Sequence, residues 1–139
     1  MAKAPSNRRI AREVALHFRY QYDITGCIER SWLFDRIKFK CDRKFANRLM
    51  DVLVDRASEI DEVLQDSSAH WKIERMDNVD RNILRTAICE ILYFEDVPFQ
   101  VSINEAVEIA KIYCDTGASV FINGVLDAIA NKRGSGSKS

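Results

Sequence analysis

Apolar residues recur at helical spacing along almost all of this 139-residue chain, and only two prolines, Pro5 and Pro98, interrupt it. Strand-like alternation is nearly absent, so the sequence predicts an all-α protein. Start and stop signals divide it. Ser6 is placed to cap a helix over about 7–22, and a short helix over about 31–39 carries Trp32, Leu33, Phe34 and Ile37. Asp42 is placed to cap one long helix reaching to about residue 64. Asp77 opens a helix to about residue 94, with Asp80 at its third position, where a carboxylate suits the helix dipole. Val79, Ile83, Leu84, Ala87, Ile88, Ile91 and Leu92 wrap most of that helix, which predicts a central, deeply buried element.

Further along, Pro98 is a helix stop, and "SINE" at 102–105 reads as a capping box in which Ser102 and Glu105 exchange hydrogen bonds. A last helix starts near Ser119 and contains Gly124, whose ordinary explanation is close packing. The polar stretch "QDSSAHWKIERM" divides the chain into two small helical bundles, about 6–65 and about 77–132, packed into one domain. The Gly/Ser-rich end, 133–139, is expected to be a disordered tail.

Several chemistries are missing. No phosphate-cradling glycine loop occurs, and the only histidines, His17 and His70, lack a partner at metal-ligand spacing. No catalytic residue, metal or cofactor is therefore nominated. The cysteines Cys27, Cys41, Cys89 and Cys114 form no CxxC pair and are expected to be buried free thiols. No apolar run approaches the roughly 20 residues that span a bilayer, and the first residues lack the apolar stretch of a signal peptide; a cytoplasmic protein is expected, with no membrane partner.

The chain carries no net charge, yet residues 1–49 hold a net +7 and residues 50–131 a net −10. Two readings fit: an anionic partner at the front with a basic one behind, or an unevenly charged solvated surface. The front helix sharpens the choice. At 100° per residue, Arg8, Arg12, Arg19 and Tyr22 share one arc with Ala15, and Arg9, Leu16 and Tyr20 adjoin it. An exposed face mixing guanidiniums and rings suits single-stranded RNA, the cations on phosphates and the rings on bases. The alternative is a solvated basic helix with half-buried tyrosines.

The segments "RRIAREVALHFRYQ", "VDRNILRTAICEILY" and "VPFQVSINEAVEIAKIYCDTGASVFINGVLDAIA", in this order, resemble the NusB family of bacterial transcription antitermination factors over about residues 8–130. The resemblance implies an all-helical NusB-like domain of two small bundles with no enzymatic activity. It implies binding to boxA-type RNA together with NusE, a protein that doubles as a ribosomal protein. It further implies indirect association with the RNA polymerase elongation complex during ribosomal RNA synthesis. Carried onto this chain, the RNA surface would comprise Arg8, Arg9, Arg12, Arg19, Tyr20, Ser119, Phe121 and Asn123. The face toward NusE would comprise Asp77, Asp80, Arg81 and Glu90. The chain departs from the common pattern at Gln100, Gly117 and Val120. Two alternatives remain: a non-enzymatic protein-interaction module, or a homodimer with weak RNA binding of its own.

Overall fold

Local capping explains where the helices begin. In a computed structural model describing residues 5–68 and 70–133, Ser6 accepts a hydrogen bond from the Arg9 amide and starts α1, Asn7–Thr25. Gly26 ends it in the left-handed conformation (φ +78°), which glycine adopts without the steric cost of a Cβ. A short α2, Arg30–Asp35, follows. Asp42 then accepts from the Phe45 amide to open α3, Arg43–Asp55. The single long helix expected here is two. Arg56 ends α3 and precedes α4, Ala57–Ser67, with backbone angles (φ −115°, ψ 25°) outside the helical range. A turn of 3₁₀ helix, Ile73–Arg75, leads to Asp77, which caps α5, Asn78–Tyr93, through the Val79 amide.

The next helix corrects the capping-box reading. Pro98 stands at the N-cap of α6, Phe99–Tyr113, so Ser102 and Glu105 lie inside the helix. Their side chains are consequently free to reach other elements. Gly117, at φ +98°, precedes α7, Ala118–Lys132. Arg133 is its C-cap; the remainder of the expected tail, 134–139, lies outside the described residues.

All described regular structure is helical, as the periodicity requires. Every residue of α5 from Asn82 to Ile91 is buried, and α5 packs against α1, α3, α4, α6 and α7. One apolar cluster runs from Ile10 in α1 through Leu49 and Leu64 to Leu84, Ile103 and Ile129, so the segments before and after the 3₁₀ turn share a core. Two expectations fail locally. Only Cys89 among the four thiols is fully buried, and Cys27 is exposed. Gly124 is exposed, and a Cβ built on it meets nothing within 4 Å, so internal packing does not account for it.

Ile83→Ala should lower unfolding free energy by about 2–5 kcal/mol in urea titrations, because Ile83 is 3% exposed. Gly124→Ala should raise it by about 0.5–1 kcal/mol, since the methyl group meets open space in a helix interior. Thermal melts of the two variants should move in opposite directions.

Candidate nucleic-acid and partner interface

Alanine at position 15 decides the orientation of α1. It is fully buried, so the arc holding Arg8, Arg12 and Arg19 faces into the protein along most of its length. Arg12 is 4% exposed and makes a two-pronged ion pair with Glu90 of α5: Nε to Oε2 at 2.8 Å and Nη2 to Oε1 at 2.9 Å. The Ser102 hydroxyl donates to the same carboxylate at 3.0 Å, and Arg12 Nη1 lies 3.5 Å from Glu105. Arg9 grips Glu105 with two bonds of 2.9 and 2.8 Å. Two arginines of α1 are thus zipped to two glutamates of α5 and α6.

A second cluster follows further along α1. Arg19 is 6% exposed, with Nη1 4.0 Å from Asp23 and its guanidinium over the Tyr22 ring. Burial, and then the charge of Arg85, pushes the Arg19 guanidinium below its usual range. Arg81 and Arg85 reach Asp23 at 2.8 and 3.2 Å, and Arg85 also holds Asp61 with bonds of 2.7 and 3.1 Å. Burial alone would raise the Asp23 carboxyl, but Arg81, Arg85 and Asn82 together hold it below the usual range.

The placement of the predicted site residues is therefore mixed. Arg12 and Arg19 do not present the exposed guanidiniums expected of them: Arg12 is bound to buried Glu90, and Arg19 is buried over Tyr22, its Nη1 4.0 Å from half-buried Asp23 and without a hydrogen bond. Glu90 does not face a partner either; it is 1% exposed and occupied by Arg12 and Ser102. Arg81 is half-buried against Asp23. Arg8 is exposed, its guanidinium 4.3 Å over the Phe45 ring and making long contacts of 3.6 Å to Asp42 and 3.9 Å to Asp96. Tyr20, Ser119 and Phe121 are half-buried and Asn123 is exposed.

These residues do not form one cluster. Arg8 and Arg9 precede Arg12, which meets α5 near its C-terminal end, whereas Phe121 lies with Asp77 and Asp80 at its N-terminal end. α5 has 16 residues and is about 24 Å long. Phe121, Asp77 and Asp80 line a shared cavity of about 280 Å³ with Trp71, whose ring meets Phe121 edge-on at 6.5 Å. Asp80 accepts a hydrogen bond from the Cys114 thiol, whose pKa is pushed up to about 12 by burial, that bond and the charges of Asp80, Asp77 and Asp115. Trp71 was not singled out by sequence reasoning; a tryptophan in an otherwise polar connection was the available signal.

The NusB family model matches residues 9–131. The transcription antitermination protein NusB of Thermodesulfovibrio yellowstonii is 42% identical, the alignment covering 90% of this chain and 92% of the relative. That of Bacillus mycoides is 43% identical, covering 88% and 95%. Among solved structures, T. maritima NusB superposes with a TM-score of 0.79 at 30% identity, covering 94% of each chain. A chain from a crystal structure of antitermination factors NusB and NusE in complex with dsRNA gives 0.77 at 30% identity, covering 91% of this chain and 97% of that one.

Arg12→Ala should cost about 3–5 kcal/mol of stability, because it strands the Glu90 charge in the interior. Adding Glu90→Ala should cost less than the sum of the two singles in a double-mutant cycle. Glu105, held low by its bonds from Arg9, and Asp23 stay ionised in the folded state at pH values where the unfolded chain takes up protons. Their stabilisation is present above the ordinary carboxylate range, near pH 4, and is lost as pH falls through their depressed values. Glu105→Gln should flatten the acid side of a plot of urea midpoint against pH.

Proposed function

The chain belongs to the NusB family, and we propose that it acts as an RNA-binding transcription antitermination factor, without enzymatic activity, in the cytoplasm. The observation that carries this reading is the match over nearly the whole chain, combined with the likeness to a fold solved alongside NusE and RNA. The RNA is boxA-type and single-stranded, bound together with NusE during ribosomal RNA synthesis, and RNA polymerase is reached indirectly. Arg8 and the outer edge of Arg9 contact phosphates; Tyr20, Ser119, Phe121 and Asn123 extend the surface. Asp77 and Asp80 face the basic ribosomal partner, which fits the acidic balance of residues 50–131.

A second reading, a protein-interaction module with weak RNA affinity of its own, is favoured by one observation: most α1 guanidiniums are already engaged with carboxylates. Titrating boxA-type RNA and a scrambled control, with and without NusE, separates the two. On the leading reading the free protein binds and prefers boxA; on the second, affinity arises only with the partner.

In the same assay, Arg8→Ala should reduce the slope of log affinity against log salt by about 0.7, one phosphate contact. Asp80→Lys should weaken NusE binding by on the order of 1 kcal/mol or more and leave RNA binding by the free protein nearly intact. Loss of RNA binding with normal partner binding in Asp80→Lys would mean that the two faces are assigned the wrong way round.

A further inference from the structure

The unpaired cations of the basic front are not on the front helix. Among the described residues, ion pairs tie Arg8, Arg9, Arg12, Arg19, Arg30 and Arg48 to carboxylates, whereas none ties Arg36, Lys38 or Lys40. These three belong to "RIKFKCDRK", residues 36–44, which carries a net +4 with Phe39 set among its basic residues. The segment borders a groove of about 450 Å³ between α1 and α2. The groove has an apolar floor that includes Ile10, Val14 and Leu33, and rings at its mouth: Trp32 is 46% exposed, Phe39 54% and Tyr113 39%. The Arg36 guanidinium lies 4.0 Å over the Trp32 ring. Among the described residues Glu13 is the only carboxylate lining it, and it is engaged by the Tyr113 hydroxyl at 2.5 Å.

Exposed rings beside unpaired cations are the combination that holds single-stranded nucleic acid, because every base has a face to stack and every linkage a charge to neutralise. The groove is also continuous with the start of α1. The Asp42 amide donates to the Asn7 carbonyl at 3.1 Å, which brings the basic segment against the first turn of α1, where Arg8 lies 3.6 Å from Asp42. Its lining runs along α1 from Ile10 to Gln21, roughly 16 Å of helix. An apolar helix would fill the floor but leave the net +4 rim uncompensated, whereas a polyanion with flat bases meets both the rim and the exposed rings.

We propose that this groove is a second RNA-contacting surface, in which bases of a single strand stack on Trp32 and Phe39 while Arg36, Lys38 and Lys40 hold the phosphates. The inference rests on the RNA-binding reading above and extends its path beyond α1.

The test uses the full chain carrying Trp71→Phe, which leaves Trp32 as the sole tryptophan. Oligouridylate is the single-stranded probe, and the same strand annealed to oligoadenylate is the duplex control. Oligouridylate should change Trp32 emission on saturation and the duplex should not. Replacing Arg36, Lys38 and Lys40 with Gln should reduce the salt slope by about 2, three contacts' worth. Phe39→Ala should weaken binding about five- to a hundred-fold. All the altered side chains are exposed, and circular dichroism should match that of the parent.

Unchanged Trp32 emission and an unchanged slope in the triple variant, while Arg8→Gln with Arg9→Gln still weakens RNA binding, would overturn the groove and leave the proposed function standing. A parent protein that binds no RNA in anisotropy measurements, with or without NusE, would overturn both. If Phe39→Ala instead converts a dimer to a monomer in sedimentation, with RNA affinity unchanged, the occupant is a second copy and the proposal fails.

Discussion

A buried arginine and a buried glutamate set the position of α1, and the rest of the arrangement depends on that. Arg12 and Glu90 are both more than nine-tenths removed from water, an expensive location for either charge alone. Together, with the Ser102 hydroxyl and the Phe45 ring beside them, they become tolerable because hydrogen bonds replace the lost hydration. A pair of this kind adds modest net stability but strict registry. A shift of one turn along α5 would leave two desolvated charges unmatched, whereas an apolar contact would tolerate it.

The same logic governs the far end of α1. Asp23 is shared by Arg81 and Arg85, with Arg19 close by, and Asp61 of α4 receives the second grip of Arg85. Helices α1, α4 and α5 are thereby locked at one end while α1, α5 and α6 are locked at the other. A rigid frame results, and it removes most of the front helix's arginines from binding. What remains for an anion is Arg8, the edge of Arg9 and the basic segment that follows α2. The basic front is therefore divided by task, with its helix largely devoted to architecture and its following segment to solvent.

The features legible in the sequence were the local ones. Ser6, Asp42 and Asp77 cap their helices because a short polar side chain reaches an amide two or three residues away, a geometry independent of the fold. The centrality of α5 was legible because its apolar residues leave little circumference for solvent. Arg12 and Arg19 were misplaced because a helical wheel ranks residues by angle without saying which angle points inward, and arginine is ordinarily an outward marker. The decisive neighbour was Ala15, a residue small enough to let α5 approach. Glu105 was misread for a related reason: its capping role and its cross-helix role share one spacing, and only the position of Pro98, immediately before the true first turn, separates them.

The pairing of Arg12 with Glu90 spans 78 residues, and that separation has a meaning in time. A ribosome adding roughly 5–20 residues per second needs on the order of 4–16 s to pass from one partner to the other. Throughout that interval the first helix can form its own hydrogen bonds, and Arg19 has Asp23 within the same helix, but Arg12 lacks the Glu90 carboxylate that neutralises it in the folded chain. The N-terminal segment therefore emerges as a cationic, amphipathic and unfinished element. Its apolar face can meet α3 as soon as that helix emerges, but the registry set by Arg12 awaits α5, which makes synthesis of the middle of the chain the step that fixes the beginning in its final place.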